Sequence, residues 1–144
     1  MLRKHTHSTK SISAHDLQPG WKLVDADGKI LGKVASEVAT YLQGKHKKNF
    51  VANLETGDHV IVVNAGKAVV TGRKEIQKTY TNYSGYPGGL SKETFQNMFK
   101  RRPTEVLRRA ISGMLPKNKL RDRRLARLHI YVDAKHPYEQ HFVS

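Results

Sequence analysis

The side chains best equipped for chemistry in this chain are its cations. Between Leu90 and Arg127 there are twelve of them (Lys92, Lys100, Arg101, Arg102, Arg108, Arg109, Lys117, Lys119, Arg121, Arg123, Arg124 and Arg127) against Glu93, Glu105 and Asp122. Two smaller basic groups accompany this segment: Lys45, His46, Lys47 and Lys48 behind Gly44, and Arg73, Lys74 and Lys78 behind Gly72. Arg3 and Lys4 add charge near the N-terminus. A surface built only for solubility intersperses both signs; clustering of one sign offers a face to a polyanion. Arginine outnumbers lysine in the long segment, and its planar fork suits bidentate phosphate contacts and stacking on bases. Closely spaced phosphates release condensed counterions when such side chains replace them, so nucleic acid is the favoured partner. Tyr80, Tyr83 and Tyr86 interleave with a glycine-rich loop, and exposed aromatic rings stack on unpaired RNA bases. Tyr80 is equally suited to packing on the domain.

Other chemistries are poorly supplied. Asp25 and Asp27 stand at a strand's carboxyl end, where open α/β sheets bind ligands, but Asp27-Gly28 reads first as a turn. Asp25 and Asp58 are the acid–base candidates of a second reading, a small RNA-processing enzyme. A third reading, a DNA-compacting protein, asks only for the charge. Gly28 and Gly32 lack the third glycine of a dinucleotide fingerprint. Gly66 and Gly72 are one residue too far apart for a phosphate loop. The eight histidines are dispersed and no spacing supplies a closed metal-ligand set. With no cysteine, disulfides and thiolate zinc sites are excluded. The expectation is a non-enzymatic protein with no metal, no cofactor and no small-molecule substrate.

The elements that must carry these cations can be read from the apolar pattern. A chain of 144 residues suits one domain, and a net charge of +14 disfavours its compact state until a polyanion arrives. No apolar run approaches the ~18 residues of a membrane span, so no membrane partner is expected. Residues 1–20 read as an extended basic arm ending at Pro19-Gly20, residues 21–133 as a single α/β domain, and residues 134–144 as a polar tail. Met1 to His15 is basic and free of acids, as a mitochondrial transit peptide would be, but it has no apolar helical face. Lys22–Asp25 predicts a strand. Leu31, Val34, Ala35, Val38, Ala39 and Leu42 form a helical stripe that Gly44 ends. The β-branched run His59–Asn64 predicts a strand covered on both faces. Strand, helix, strand implies a right-handed crossover and a parallel pair. Ala68-Val69-Val70 is a further short element, and Thr79–Tyr83 an edge strand. Ser91 is expected to cap a short helix burying Phe95, Met98 and Phe99. Pro103 opens a second helix with Val106, Leu107, Ala110, Ile111, Met114 and Leu115 on its apolar side. Residues 118–127 predict a basic helix, and Leu128–Val132 a last strand. On this basis Met114→Ala should cost stability, whereas Arg124→Ala should weaken RNA binding and spare the fold.

The ordered motifs of the chain resemble those of one family, large-subunit ribosomal protein thirteen in its bacterial-type form. Ile111-Ser112-Gly113-Met114-Leu115-Pro116, followed by Leu128-His129-Ile130-Tyr131-Val132-Asp133, is the most specific piece. Trp21-x-Leu23-Val24-Asp25-Ala26, Leu31-Gly32-Lys33-Val34-Ala35, Gly44-Lys45-His46-Lys47, Thr56-Gly57-Asp58, Val63-Asn64-Ala65, Val70-Thr71-Gly72, Gly88-Gly89 and Arg101-Arg102-Pro103 support it. The resemblance implies a three-layer α/β/α fold around a four-stranded parallel sheet of order 3-2-1-4. It implies a structural role in the large ribosomal subunit, supporting its assembly, with large-subunit ribosomal RNA and neighbouring ribosomal proteins as partners, in the cytoplasm or in an organelle. The Gly44–Lys47 loop, the loop through Gly89 and the basic stretch after Pro116 are the parts implied to face RNA. Tyr80-Thr81-Asn82-Tyr83 departs from the adjacent aromatics and histidines common in the family. The arm before Trp21 is somewhat long, and the tail after Asp133 differs.

Overall fold

Trp21–Asp25 forms strand β1 and His59–Val63 strand β2, and the two pair in parallel, with Trp21 opposite His59 and Val24 opposite Val62. The computed structural model from which this is read describes Ser13 and residues 17–142. Val60, Ile61, Val62 and Val63 have no solvated face and all are buried, as the unbroken β-branched run requires. Between the strands, α1 (Leu31–Gln43) buries Val34, Ala35, Val38, Ala39 and Leu42. Gly44 ends it in the left-handed region, φ 77°, and its N–H closes onto Thr40 and Tyr41 carbonyls. Glycine is the residue that enters that region without a Cβ penalty.

Beyond β2 the chain forms α2 (Lys74–Gln77), the antiparallel strands β3 (Thr79–Tyr83) and β4 (Leu90–Thr94), then α3 (Phe95–Arg101), α4 (Pro103–Met114), α5 (Arg121–Ala126) and β5 (Leu128–Ile130). β5 pairs in parallel with β2, so the main sheet runs β1-β2-β5. Val24, Val60, Val62 and Leu128 point to one side of it, where they join α1 and the Leu107, Ile111 and Leu115 side chains in one core. Phe95, Met98 and Val106 make a smaller core beside it, with Leu31 and Tyr80 packed on.

This corrects the expected four-stranded, three-layer sheet. Among the described residues the main sheet has three parallel strands, and β3–β4 is a separate two-stranded sheet. The Ala68-Val69-Val70 element contributes only a single parallel bridge, Ile30 to Val69. Strand order here advances steadily from β1 to β2 to β5. Right-handed crossovers taken in one direction place their helices on one face. α1 and α4 accordingly share a face. The other face carries Trp21, His59 and His129, whose rings meet Tyr138 and His141 of the tail. A folded-back tail, with a 3-10 turn at Glu139–His141, lies where a second helical layer was expected.

Two local expectations also change. Ser91 lies within β4, and Thr94 caps α3 instead, its Oγ1 accepting from the Asn97 N–H at 3.4 Å. Met114 is 45% exposed, and the buried end of the stripe is Leu115. Leu115 stands four residues after Ile111 and eight after Leu107, in line with the buried face, whereas Met114 falls on its flank.

Candidate nucleic-acid interface

The loop after α1 is held from below by one carboxylate. Asp58, 2% exposed, precedes β2. Its Oδ1 accepts from the Gly20 N–H at 2.7 Å and pairs with Lys47, while its Oδ2 lies 2.8 Å from His46 Nε2. Burial, the largest single influence, would raise the Asp58 pKa. Together the hydrogen bonds from Lys47, Gly20 and His46 and the Lys47 charge outweigh it and hold the carboxyl below its ordinary range. Lys47 also donates to the Gln18 carbonyl at 3.2 Å. His46 and Lys47 are therefore spent partly on tying the loop to the chain before β1. Lys45 and Lys48 are exposed and, among the described residues, have no carboxylate partner.

Arg73, Lys74 and Lys78 surround α2, all exposed. From there the β3–β4 hairpin projects with nearly every side chain in water. Tyr83 and Tyr86 are 63% and 75% exposed. Leu90, opposite Tyr83 in register, is also exposed, as is Lys92 opposite Thr81. Lys92 belongs to the cation cluster of the long segment, whereas Leu90 carried no such signal, because Leu90-Ser91-Lys92-Glu93-Thr94 shows no strand alternation. Tyr80 resolves toward packing: it is half-buried against Phe95, with Lys78 and Arg109 each 5.4 Å from its ring centre.

The cations of the long segment divide. Arg102, Arg108, Lys117 and Lys119 are exposed without a carboxylate partner among the described residues. Arg101 pairs with Glu93 at 2.8 Å and Arg109 with Glu105 at 3.0 Å. These are surface pairs that a phosphate can displace at little cost. Arg121 donates to Ser112 Oγ. Arg127 points inward, with Glu55 at 3.0 Å and the Gly57 carbonyl at 2.8 Å, and Arg123 stands 3.8 Å from the same Glu55.

Arg124 is the correction in this group. It is 3% exposed, and burial lowers its pKa despite the nearby Glu55 charge. A guanidinium so enclosed on α5 is not open to phosphate contact. Arg3 and Lys4 lie outside the described residues.

The acids of the enzymatic reading are occupied structurally. Asn64, in the left-handed region at φ 56°, donates its amide to Asp25 at 2.8 Å, and the Asp27 N–H donates at 3.0 Å. These two hydrogen bonds, the Asn64 bond first, lower the Asp25 pKa. They fix the turn after β1 rather than present a base. Among the described residues there is no group of three or more metal-ligating side chains, and no helix is long and apolar enough to cross a membrane.

The described residues form a single packed α/β domain rimmed by cations without carboxylate partners among them, and sequence comparison gives its kinship. The family model described as Ribosomal protein L13 matches residues 20–137. The chain belongs to this family. Similar proteins include the large ribosomal subunit protein uL13 of Clostridioides difficile (strain 630), 49% identical over 85% of this chain and 86% of that protein. The uL13 protein of Cupriavidus taiwanensis is 47% identical over 91% and 92%. That of Synechococcus sp. (strain JA-2-3B'a(2-13)) is 50% identical over 85% and 82%. The family match begins at Gly20, the residue whose N–H meets Asp58. It takes in the whole sheet and the start of the folded-back tail.

Proposed function

We propose that this chain is a structural constituent of the large ribosomal subunit of the cytoplasmic ribosome, binding large-subunit ribosomal RNA and supporting subunit assembly without catalysing a reaction. The observation that carries the reading is a group of exposed cations that lack carboxylate partners among the described residues, with Lys45, Lys48, Arg73, Lys74, Lys78, Arg102, Arg108, Lys117 and Lys119 among them. In a chain of net charge +14, such side chains pair with no carboxylate among the described residues and are available to phosphate. Tyr83 and Tyr86 add two stacking faces on the hairpin. Arg101 and Arg109 join when their surface pairs open, and Arg121, Arg123 and Arg127 lend long-range field. His46 and Lys47 present the loop from below. The domain over residues 21–133 supplies these groups, and the arm of residues 1–20, with Arg3 and Lys4, extends the same charge. Neighbouring ribosomal proteins are the second class of partner.

Co-sedimentation with large subunits tests the reading. Affinity for large-subunit ribosomal RNA should fall roughly 10³–10⁵-fold between 50 and 200 mM salt if six to ten phosphates are engaged. A flat salt dependence, or equal affinity for duplex DNA, would count against it.

A further inference from the structure

A cleft of about 370 Å³ opens between the start of α1, the Ile30–Val69 bridge, the base of the hairpin and the end of α4. Sites for small ligands begin near ~300 Å³, so one compact group fits. Ile30, Leu31, Val69, Val70, Ala110 and Met114 give it an apolar lining. Val69 and Met114 are nearly half exposed there, although large apolar side chains ordinarily favour the interior. Gly32 and Gly113 keep the wall open, since a Cβ at either would meet nothing within 4 Å.

The charged residues in this wall are Lys74, Lys78 and Arg109, and none is acidic. Lys74 and Lys78 are four residues apart around α2, a spacing that puts side chains on one side of a helical turn. Neither has a carboxylate partner among the described residues. Tyr80 positions Lys78 and Arg109 against its ring. The neighbouring clefts differ in this respect. The one beneath the hairpin holds Arg101, Arg102 and Arg109 together with Glu93 and Glu105, and the one beside Leu120 holds Arg123 and Arg127 together with Glu55. In both, carboxylates line the wall beside the cations, pairing with Arg101 and Arg109 in the first and with Arg123 and Arg127 in the second; in the cleft between α1 and α4 only Arg109 has such a partner.

We infer that the cleft between α1, α4 and the hairpin base receives a single unpaired nucleotide of the RNA, its base on the apolar lining and its phosphates on Lys74 and Lys78. The inference rests on the RNA-binding reading above and gives it a specific seat. A flipped base needs an apolar slot open on one side, and its backbone needs cations at the edge. The cleft adjoins Arg73, exposed and without a carboxylate partner among the described residues, and the tyrosine-bearing hairpin, so a strand lying on that surface passes its mouth. A segment of a neighbouring protein is the competing occupant.

Because the chain has no cysteine, Met114→Cys and, separately, Val69→Cys each create a unique thiol at an exposed position, ready for a benzophenone maleimide. The labelled full chains, assembled into large subunits and irradiated, should cross-link to the base of an unpaired ribosomal RNA nucleotide. Gly113→Leu, unlabelled, should fill the cleft without lowering the thermal unfolding midpoint. It should weaken affinity for large-subunit ribosomal RNA about 5- to 150-fold, the range for loss of one stacked base. Cross-links to protein alone, cross-links only to paired nucleotides, no cross-link from either position, or unchanged affinity in Gly113→Leu would each overturn the inference. Failure of the underlying reading looks different: the wild-type chain itself would neither bind the RNA nor enter the subunit.

Discussion

Asp58 shows how one buried carboxylate can serve an interface it never touches. It joins three pieces of chain: the residue before β1, the basic loop and the start of β2. Its lowered pKa means that the folded state holds the carboxylate more strongly than the unfolded chain does. The stability this contributes is present above the unfolded value, about 3.9, and is lost as pH falls through the folded one. Asp58→Asn should therefore lower stability at neutral pH by about 1–3 kcal/mol, below the usual cost of breaking a fully buried pair because Lys47 and His46 keep access to water. Equilibrium urea unfolding at pH 7 reads this directly, and an unchanged midpoint would rule the latch out. Arg124 makes the opposite point. Arg124→Met should leave RNA affinity within about twofold, whereas Lys119→Ala should weaken it and reduce the salt slope by about 1, as loss of one phosphate contact does. Filter binding across a salt series separates the two.

At the scale of elements, α4 shows where burial begins and ends. Leu115 is 2% exposed and part of the main core, while Met114 beside it faces water. Leu115→Ala should cost about 2–5 kcal/mol through cavity formation, and Met114→Ala less than about 1 kcal/mol, as expected away from the core. Denaturant unfolding of the pair checks which side chain the core uses. The crossing of α1 with the segment before β2 is tighter still. A Cβ on Gly57 would stand 1.9 Å from the Leu42 carbonyl oxygen. That is backbone against backbone, and no rotamer relieves it. Gly57→Ala should destabilise by at least about 1–3 kcal/mol, the usual cost of overpacking, visible as a lowered thermal midpoint. The β3–β4 hairpin is the converse case. Two strands exposed on most positions are marginal in water. Tyr80, Phe95 and the Phe95 N–H bond to the Lys78 carbonyl anchor its base, leaving its tip to its partner.

For the whole molecule, charge governs binding and stacked rings govern the tail. Trp21, the only tryptophan, lies between His59 at 4.5 Å and His141 at 4.2 Å, nearly parallel to both. Burial lowers the pKa of His59, with Arg127 and His129 adding to it, and burial likewise lowers that of His129. The unfolded chain therefore binds these protons more readily than the folded one. Stability is complete above the ordinary imidazole value, about 6.5, and falls as pH drops below it toward the folded values. The thermal midpoint should decline between pH 7 and 5, with Trp21 fluorescence changing in the same window. His59→Gln should flatten that decline, and a pH-independent midpoint would contradict the argument.

The unit β1–α1–β2 was legible from the residues alone because its signals are local. A helical stripe that stops at glycine and a β-branched run with no polar face each admit one solution, and the crossover rule pairs them. The clustered cations were equally visible, and with them the polyanionic partner. What only the tertiary structure decided were long-range pairings. Leu90–Thr94 became a strand because β3 lay beside it, not because its own pattern asked for one. The helices share one face because β5 took the free edge of β2 rather than of β1. Lys47 and Arg127 turned inward because Asp58, Glu55 and the Gly57 carbonyl arrived from distant parts of the chain. A charge can be counted in a sequence, but whether it meets a carboxylate or a phosphate depends on which surfaces folding brings within a few ångströms of it.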